Sequence, residues 1–391
     1  MGRMWKISCC LLFFAFGQAS TLSATENIAD NEATALEQAL EQTYEPLDLS
    51  LFRDSIGHWQ MKDGRVYHFE RYQPEQVVHI AENFLKFQNE DGGWTKNLDW
   101  LAKAEPDQIR EIRGGTLGRS TFDNRNTYSQ IAYLAKVYQL THLERYRKGA
   151  EKGLRYILTE QRPSGGWRGQ DVDAITFNDD VMTGIMRLLL QIRNQEPLFD
   201  WLEPDLRDEL NAALDRGIAV TLACQIEVNG KKTAWCQQHD HQTLKPTKAR
   251  AYELPSITPS ESGEVVRFLM SLPKPDEKII AAVEAAVAWM EEVKIEGIRV
   301  KEISIKPVVF QHHTTKIDRV VVQDPNAPPI WTRFYEIETN RPFFCNRDGK
   351  KVYQLSDVHL ERRSGYGWYT NKPERIITVE YPAWKKQLAV E

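Results

Sequence analysis

Cysteine is scarce in this chain. There are five in 391 residues, and two of them, Cys9 and Cys10, fall within the first ten positions. They form no CxxC pair, so a thiolate zinc site is excluded. No run of about 18 apolar residues exists, so no segment is long enough for a spanning helix. There is no excess of positive charge either: 50 Lys and Arg against 55 Asp and Glu give a net charge of −5. That balance excludes a basic nucleic-acid-binding protein. Apolar material is not lacking. With 41% hydrophobic and 10% aromatic residues, disordered, collagenous and mucin-like classes are out, and a sizeable core is expected. The length fits one large domain or two to three smaller ones. Eleven Trp and fourteen Tyr are many, and such rings line carbohydrate sites as readily as they fill cores.

The first residues have an order of their own. Arg3 and Lys6 precede an apolar run from Ile7 to Phe16, followed by small residues at Gly17-Gln18-Ala19 and Leu22-Ser23-Ala24. This is the layout of a secretory signal peptide and predicts export, periplasmic or extracellular, with no membrane contact after processing. Residues 1–24 are therefore assigned to the leader, 25–72 to an N-terminal helical or irregular segment, 73–295 to a helical catalytic region and 296–391 to a mixed β-containing region. Three cysteines remain after the leader, which allows at most one bridge. Cys224 with Cys236 is the sequence-local candidate.

Helical spacing dominates the middle of the chain. Gln73 to Phe87 places Val77, Ile80, Ala81, Phe84 and Leu85 on one face. Asn126 to Leu140, Glu144 to Leu158, Asp179 to Ile192, Glu203 to Cys224, Glu261 to Leu272 and Asp276 to Val293 also read as helices, and Asn27 to Tyr44 is a further candidate. From Gly297 the period changes to two, clearest in Ile298 to Ile305, in Val320 to Val322 and around Arg333 to Ile337. One helix ends in Gln88…Gly92-Gly93-Trp94 and a later one in Gln161…Gly165-Gly166-Trp167. Helix pairs repeating in this way suggest a toroid with the Gly-Gly-Trp turns at one rim.

Thr121-Phe122-Asp123-Asn124 precedes a long helix, where an acid and an amide usually serve as caps. Thr176-Phe177-Asn178-Asp179-Asp180 repeats the situation with two adjacent carboxylates. A single Asp suffices for capping. Adjacent carboxylates and an amide suit a hard cation such as calcium, with further ligands from elsewhere or from a substrate. His239-Asp240-His241 has metal-like spacing but reads as a hydrogen-bonded loop anchor, and His312-His313 have no evident third ligand. Lys96, Arg250, Arg333 and Arg347 are isolated cations set among aromatic residues. An acidic protein must catch an anionic substrate with such a local cleft, and arginine beside aromatic rings suits bidentate carboxylate recognition. Together they point to a polyanion with regularly spaced carboxylates.

Ordered blocks extend this pattern: Gly92-Gly-Trp-Thr-Lys-Asn97, Thr121-Phe-Asp-Asn124, Gly165-Gly-Trp167, Ile175-Thr-Phe-Asn-Asp-Asp180, Trp235-Cys-Gln-Gln-His-Asp240, Ala249-Arg-Ala-Tyr-Glu253, Arg333-Phe-Tyr-Glu336, Arg347-Asp-Gly349 and Gly365-Tyr-Gly-Trp-Tyr369. In these blocks the chain resembles the pectate lyases of polysaccharide lyase family 10, from about Pro74 to Tyr369. The resemblance implies a mainly α fold, an (α/α)3 toroid of helix pairs with a smaller C-terminal β-containing part. It implies calcium-assisted β-elimination on α-1,4-polygalacturonate by a monomer. Carried over by motif, Arg347 is the expected base and Asp123 a catalytic acid near the cation. Asp123, Asp179 and Asp180 are the expected calcium ligands, and Lys96, Asn124, Arg250 and Arg333 the expected substrate-binding residues. The segment Trp167 to Ile175 departs from the family: it lacks the expected aromatics and carries Arg168, Asp171 and Asp173. A hydrolase of uronic-acid oligosaccharides, using Asp123 and Asp179 as acid and base, and a non-catalytic pectin-binding protein are the competing readings.

Overall fold

The computed structural model of the chain describes Met1 and residues 31–62, 67–311 and 313–389. The expected leader, beyond Met1, and His312 lie outside the described residues. Residues 31–41 are helical. The helices that matter below are α1 (Arg53–Lys62), α2 (Val77–Lys86), α3 (Tyr128–Thr141), α4 (Glu144–Glu160), α5 (Val181–Arg193), α6 (Pro204–Ala223), α7 (Pro259–Met270) and α8 (Glu277–Glu292). Each segment read as helical from Gln73 onward is helical, with ends moved by a few residues. The starts have local causes. Proline occupies the first position of α6 and α7, where its missing N–H costs nothing. Asp276 caps α8 by accepting from the Ile279 N–H at 2.8 Å.

The apolar pattern sorts these helices into two layers. α5 buries residues nearly all round, from Val181 and Met182 to Leu188, Leu189 and Ile192. α4 buries one stripe, Tyr146, Ala150, Leu154 and Ile157, and leaves the rest to charge. Each of α3, α5 and α7 packs on the helix that follows it in the chain. α3, α5 and α7 are also neighbours in turn, as are α2, α4, α6 and α8.

A repeated peg joins the layers. The indole N–H of Trp94 donates to the Phe84 carbonyl at 2.8 Å, Trp167 to Ile157 at 2.8 Å, Trp235 to Thr221 at 2.7 Å and Trp331 to Met290 at 2.7 Å. Each Trp is fully buried and satisfies a carbonyl near the end of α2, α4, α6 or α8, where the helix leaves acceptors unused. A glutamine just past three of these ends reaches the next helix of the same layer. Gln88 donates to the Gly149 carbonyl at 2.9 Å, Gln161 to Ala213 at 2.8 Å and Gln225 to Ala282 at 2.8 Å. The two-copy repeat read from Gly-Gly-Trp is thus the visible part of a longer one.

Beyond α8 the chain turns to strands. β1 (Ile298–Val309) and β2 (Thr314–Gln323) form an antiparallel hairpin whose register shifts between Ser304 and Val308, where Pro307 lacks a ladder N–H. Of Arg333 to Ile337, only Phe334–Tyr335 is a strand. It pairs with Pro342–Cys345, which pairs with Lys351–Val352. A small separate core of Tyr252, Phe334, Phe343, Phe344 and Trp368 anchors this part. The proposed Cys224–Cys236 bridge is not formed. Both thiols, and Cys345, are free and buried. Burial pushes the Cys224 thiol up to about 12 and Cys345 up to about 11, so they act as small apolar side chains.

The Gly-Gly-Trp turns test this architecture. Gly92 and Gly165 have φ of 96° and 95°, the left-handed region that a side chain disfavours. A Cβ on Gly165 would stand 2.5 Å from the Arg216 carbonyl of α6, and one on Gly92 would collide with the Lys152 carbonyl of α4. Gly165→Ala is expected to cost more than the roughly 1–2 kcal/mol of the left-handed conformation alone. Urea unfolding should show the loss as a lowered midpoint.

Candidate active site

The site is built at the N-terminal ends of α3, α5 and α7. Two loops there repeat one backbone. Asn124 and Arg125 have φ of 54° and 60°, and Asp179 and Asp180 have 52° and 58°. Asn and Asp tolerate this region best among residues with side chains. Thr121-Phe122 and Thr176-Phe177 precede the kinks, and both rings are buried. Phe122 and Phe177 therefore act as plugs that hold each loop against its helix layer. The strand Ile175–Thr176 pairs with Gln238–His239, which brings Gln237 to the second loop.

The kinks turn Asp123 and Asp179 inward. Asp123 pairs with the Lys96 ammonium. Asn124 donates to the Asn97 Oδ1 at 3.0 Å, and Arg113 holds the Asn97 carbonyl at 2.7 Å. Three expected residues, Lys96, Asp123 and Asn124, thus meet. Asn178 donates to Asp179 Oδ2 at 2.7 Å and accepts from Gln237 at 3.1 Å and from Arg333 at 3.2 Å. Glu261, on the first turn of α7, accepts from Gln237 at 2.9 Å and faces Arg333 at 3.5 Å. Its other oxygen, Oε2, and the Nε of Arg333 are buried without a partner. A cavity of about 270 Å³ opens here, lined by Asp179, Asp180, Glu261 and Arg333.

Asp179 titrates at about 7, raised first by burial and then by the negative charge of Asp123, against the opposing pull of Arg333. Asp180, also expected as a cation ligand, is ion-paired in the free protein, as Asp123 is. Its Oδ2 lies 2.7 Å from the Arg125 Nε, and it borders the same cavity as Asp179. Among the described residues no three His, Cys, Asp or Glu side chains converge on one metal position. Asp123 and Asp179 fit a hard cation nonetheless. They are oxygen donors, and their mutual repulsion is what a cation would relieve. The rest of the coordination shell must come from water and substrate carboxylates. The His239-Asp240-His241 segment is a loop anchor, as read. His239 Nδ1 lies 2.8 Å from the Leu244 carbonyl, and its Nε2 accepts the Cys236 N–H at 3.1 Å.

The remaining arginines gather on two tyrosines. Arg333 stacks on Tyr366 at 4.6 Å, Arg250 on Tyr252 at 5.2 Å and Arg347 on Tyr252 at 5.4 Å. Tyr366 donates to Glu253 at 2.7 Å, and Glu253 grips Arg250 with both oxygens. Glu361 grips Arg347 with two bonds of 2.9 Å. A guanidinium can serve as a base only if neighbouring cations and desolvation depress it. Here the bonds to Glu361 raise Arg347 instead, and burial opposes them. Arg250 is likewise held above its ordinary value, by Glu253. Sequence reasoning missed Glu261, Gln237, Glu253 and Tyr366. Three of these lie inside or beside the motif blocks, but their role comes from distant partners. It also missed Asp54 and His58 of α1, where His58 lines a cleft of about 960 Å³ together with Lys96, Gln170 and Arg362.

Asp179 makes a test. A carboxylate raised in the folded state leaves the protein with more bound protons than the unfolded chain between about pH 4 and 7, so stability falls as pH rises through that window. Asp179→Asn is expected to raise Tm by a few degrees at pH 8 and much less at pH 5. Differential scanning calorimetry in chelator would show it, and equal shifts at both pH values would contradict the assignment.

Known proteins bear on this geometry. A family model described as pectic acid lyase matches residues 88–377. Two structures of a family 10 polysaccharide lyase from Cellvibrio cellulosa resemble the chain at 28% identity and a TM-score of 0.66. The match covers 86% of this chain and 98–99% of theirs, and one of the two, a point mutant, is a complex with trigalacturonic acid. Among curated proteins, none matches this sequence. The matched span holds Lys96, both kinked loops, Glu261 and all the stacked arginines, and on that ground the chain belongs to the pectic acid lyase family.

Proposed function

We propose that this pectate lyase binds α-1,4-polygalacturonate across the ends of α3, α5 and α7 and cleaves it by calcium-assisted β-elimination, on a closed (α/α)3 toroid. The carrying observation is the Asp123–Asp179 pair set among Lys96, Arg333 and the tyrosine-stacked arginines. Uronate carboxylates answer the cations. Asp123 and Asp179 would hold calcium, which when bound supplies positive charge to a substrate carboxylate. Family membership favours elimination over hydrolysis with the same two carboxylates. Export through the N-terminal leader fits a polymeric substrate met outside the cytoplasm.

The chain's own groups divide the work. Arg333, fixed by Asn178, Glu261 and Tyr366, presents a guanidinium beside Asp179 and neutralises the carboxylate next to the C5 proton. Charge develops on that carboxylate as C5–H breaks, so a fixed cation there lowers the barrier. Lys96 does the same from the Asp123 side. An arginine side chain that has lost its proton takes the C5 proton, the C4–O bond breaks, a C4–C5 double bond forms and the leaving oxygen takes a proton from water. Arg347 is the base that the family resemblance implies. One observation favours Arg250: it joins Arg333 through Glu253 and Tyr366, and its Nε faces Asp171 at 3.9 Å on the loop whose Gly169 packs against Asp123. Arg347 reaches this group less directly, across Tyr252 and through Glu361 and Arg362. Either guanidinium is held protonated by its carboxylate in the free protein, so activity must climb into the alkaline range.

The test is ultraviolet absorbance of the unsaturated product from polygalacturonate. Wild-type activity should rise with pH and vanish in chelator. Asp123→Ala and Arg250→Ala should each lose about 10²–10⁴-fold in kcat, and Arg347→Ala about tenfold. The reverse order of the two arginines would return the base to Arg347. New reducing ends without the absorbance would mean hydrolysis.

A further inference from the structure

A second cavity, of about 170 Å³, lies on the Phe122 side of the first loop, lined by Arg119, Arg168, Asp91, Glu160, Tyr156 and Gly169. It shares no lining residue with the cavity below Arg333. Arg119 and Arg168 approach from different segments, and both donate to one acceptor, the carbonyl of Gln170. Arg168 also reaches the Gly169 carbonyl at 3.2 Å. Two guanidiniums sharing a carbonyl repel each other unless an anion joins them.

No carboxylate of the protein fills that place. Among the described residues none pairs with Arg119. Arg168 meets only Asp173, at 3.8 Å, and Asp173 is already held by Arg162 at 3.0 Å and faces His241 at 3.4 Å. Two acids do line the cavity, and both are engaged elsewhere. Asp91 accepts from Ser120 at 2.7 Å and from the Gly93 N–H at 3.0 Å, and Glu160 lies 3.5 Å from Arg162. Burial first, and Arg119 next, pull the Arg168 guanidinium below its ordinary value, the direction expected of an under-compensated cation. The floor is aromatic: Tyr156 and Phe122 meet at 5.1 Å. Gly169, which lines the cavity, also borders the reacting centre: a Cβ on it would stand 3.1 Å from Asp123 Oδ1.

We propose that Arg119 and Arg168 form a further carboxylate-binding subsite, which takes the uronate carboxylate of a sugar residue remote from the scissile bond. The paired forks match a carboxylate in the plane of its two oxygens. The segment Arg168 to Asp173, which lacks the aromatics expected there, makes this subsite ionic. It governs affinity for the polymer and leaves the chemical step alone. The inference rests on the pectate lyase reading for its ligand, but not for its test.

The test uses Arg119→Ala, Arg168→Ala and Arg168→Lys in the otherwise intact protein. KM for polygalacturonate should rise about tenfold in either alanine variant, with kcat within twofold of wild type and partial recovery in Arg168→Lys. Calorimetric affinity for hexagalacturonate in chelator should fall by a similar factor, more at low salt than at high salt. Should Arg168→Ala fail to fold, the exposed Arg119 carries the test alone. KM and affinity within twofold of wild type would overturn the subsite. A loss in kcat with KM unchanged would also overturn it, by placing these arginines at the reacting centre. A wild type that binds hexagalacturonate but releases no unsaturated product would sink the lyase reading alone, because the calorimetric arm still reads the subsite.

Discussion

Two carboxylates, Asp123 buried and Asp179 half-buried, lie within electrostatic reach of each other and set the terms for the rest of this molecule. Asp123 and Asp179 sit at the starts of adjacent helices, and ionising both in a low-dielectric site is costly. Asp179 registers the cost by titrating near neutrality. The surroundings are arranged to support such a pair without collapsing it. Lys96 takes one side and Arg333 the other, and Gln237 ties Asn178, which donates to Asp179, to Glu261. Helix N-termini contribute their partial positive charge from three directions. What results is a site short of positive charge in its resting state, which suits a protein whose cation and anionic substrate arrive together.

The arginine cluster solves the opposite problem. Arg250, Arg333, Arg347 and Arg362 stand around Tyr252 and Tyr366. Glu253 and Glu361 keep such a concentration of charge in place. Glu361 alone binds both Arg347 and Arg362 and is held down to about 2 by these bonds. Each guanidinium is therefore stiff, and stiffness matters for recognising a polymer with carboxylates at fixed intervals. The same pairing keeps every candidate base protonated at rest, so catalytic competence must come from the bound state rather than the free one.

Much of the architecture could be read directly. The helix ends at Gly92 and Gly165 were visible because only glycine fits a left-handed turn against a neighbouring carbonyl. Asp179 to Ile192 was legible as a helix, but its place in the inner layer came from the burial of nearly all its faces. Trp235 and Trp331 escaped the repeat because they lack the Gly-Gly signal, although their indoles do the same job as Trp94 and Trp167. In the site, the adjacent Asp179 and Asp180 stood out as one carboxylate more than a cap needs. Asp180 looked equivalent to Asp179 in sequence, and in the fold it pairs with Arg125. The Cys224–Cys236 bridge failed for a related reason: closeness along the chain says nothing about which way two thiols face.

The helical segments, the change to strands after Gly297, the resemblance to the family and the residue types that handle a polyuronate are all legible in the sequence, because periodicity and turn chemistry are local properties. Which charges the protein neutralises and which it leaves for a ligand depends on the folded arrangement. Glu253 and Glu361 close off Arg250 and Arg347, Arg125 closes off Asp180, and Glu261 reaches the centre from a helix about 80 residues beyond Asp179. Ion pairing depends on distances across the fold, and no spacing within a segment encodes them.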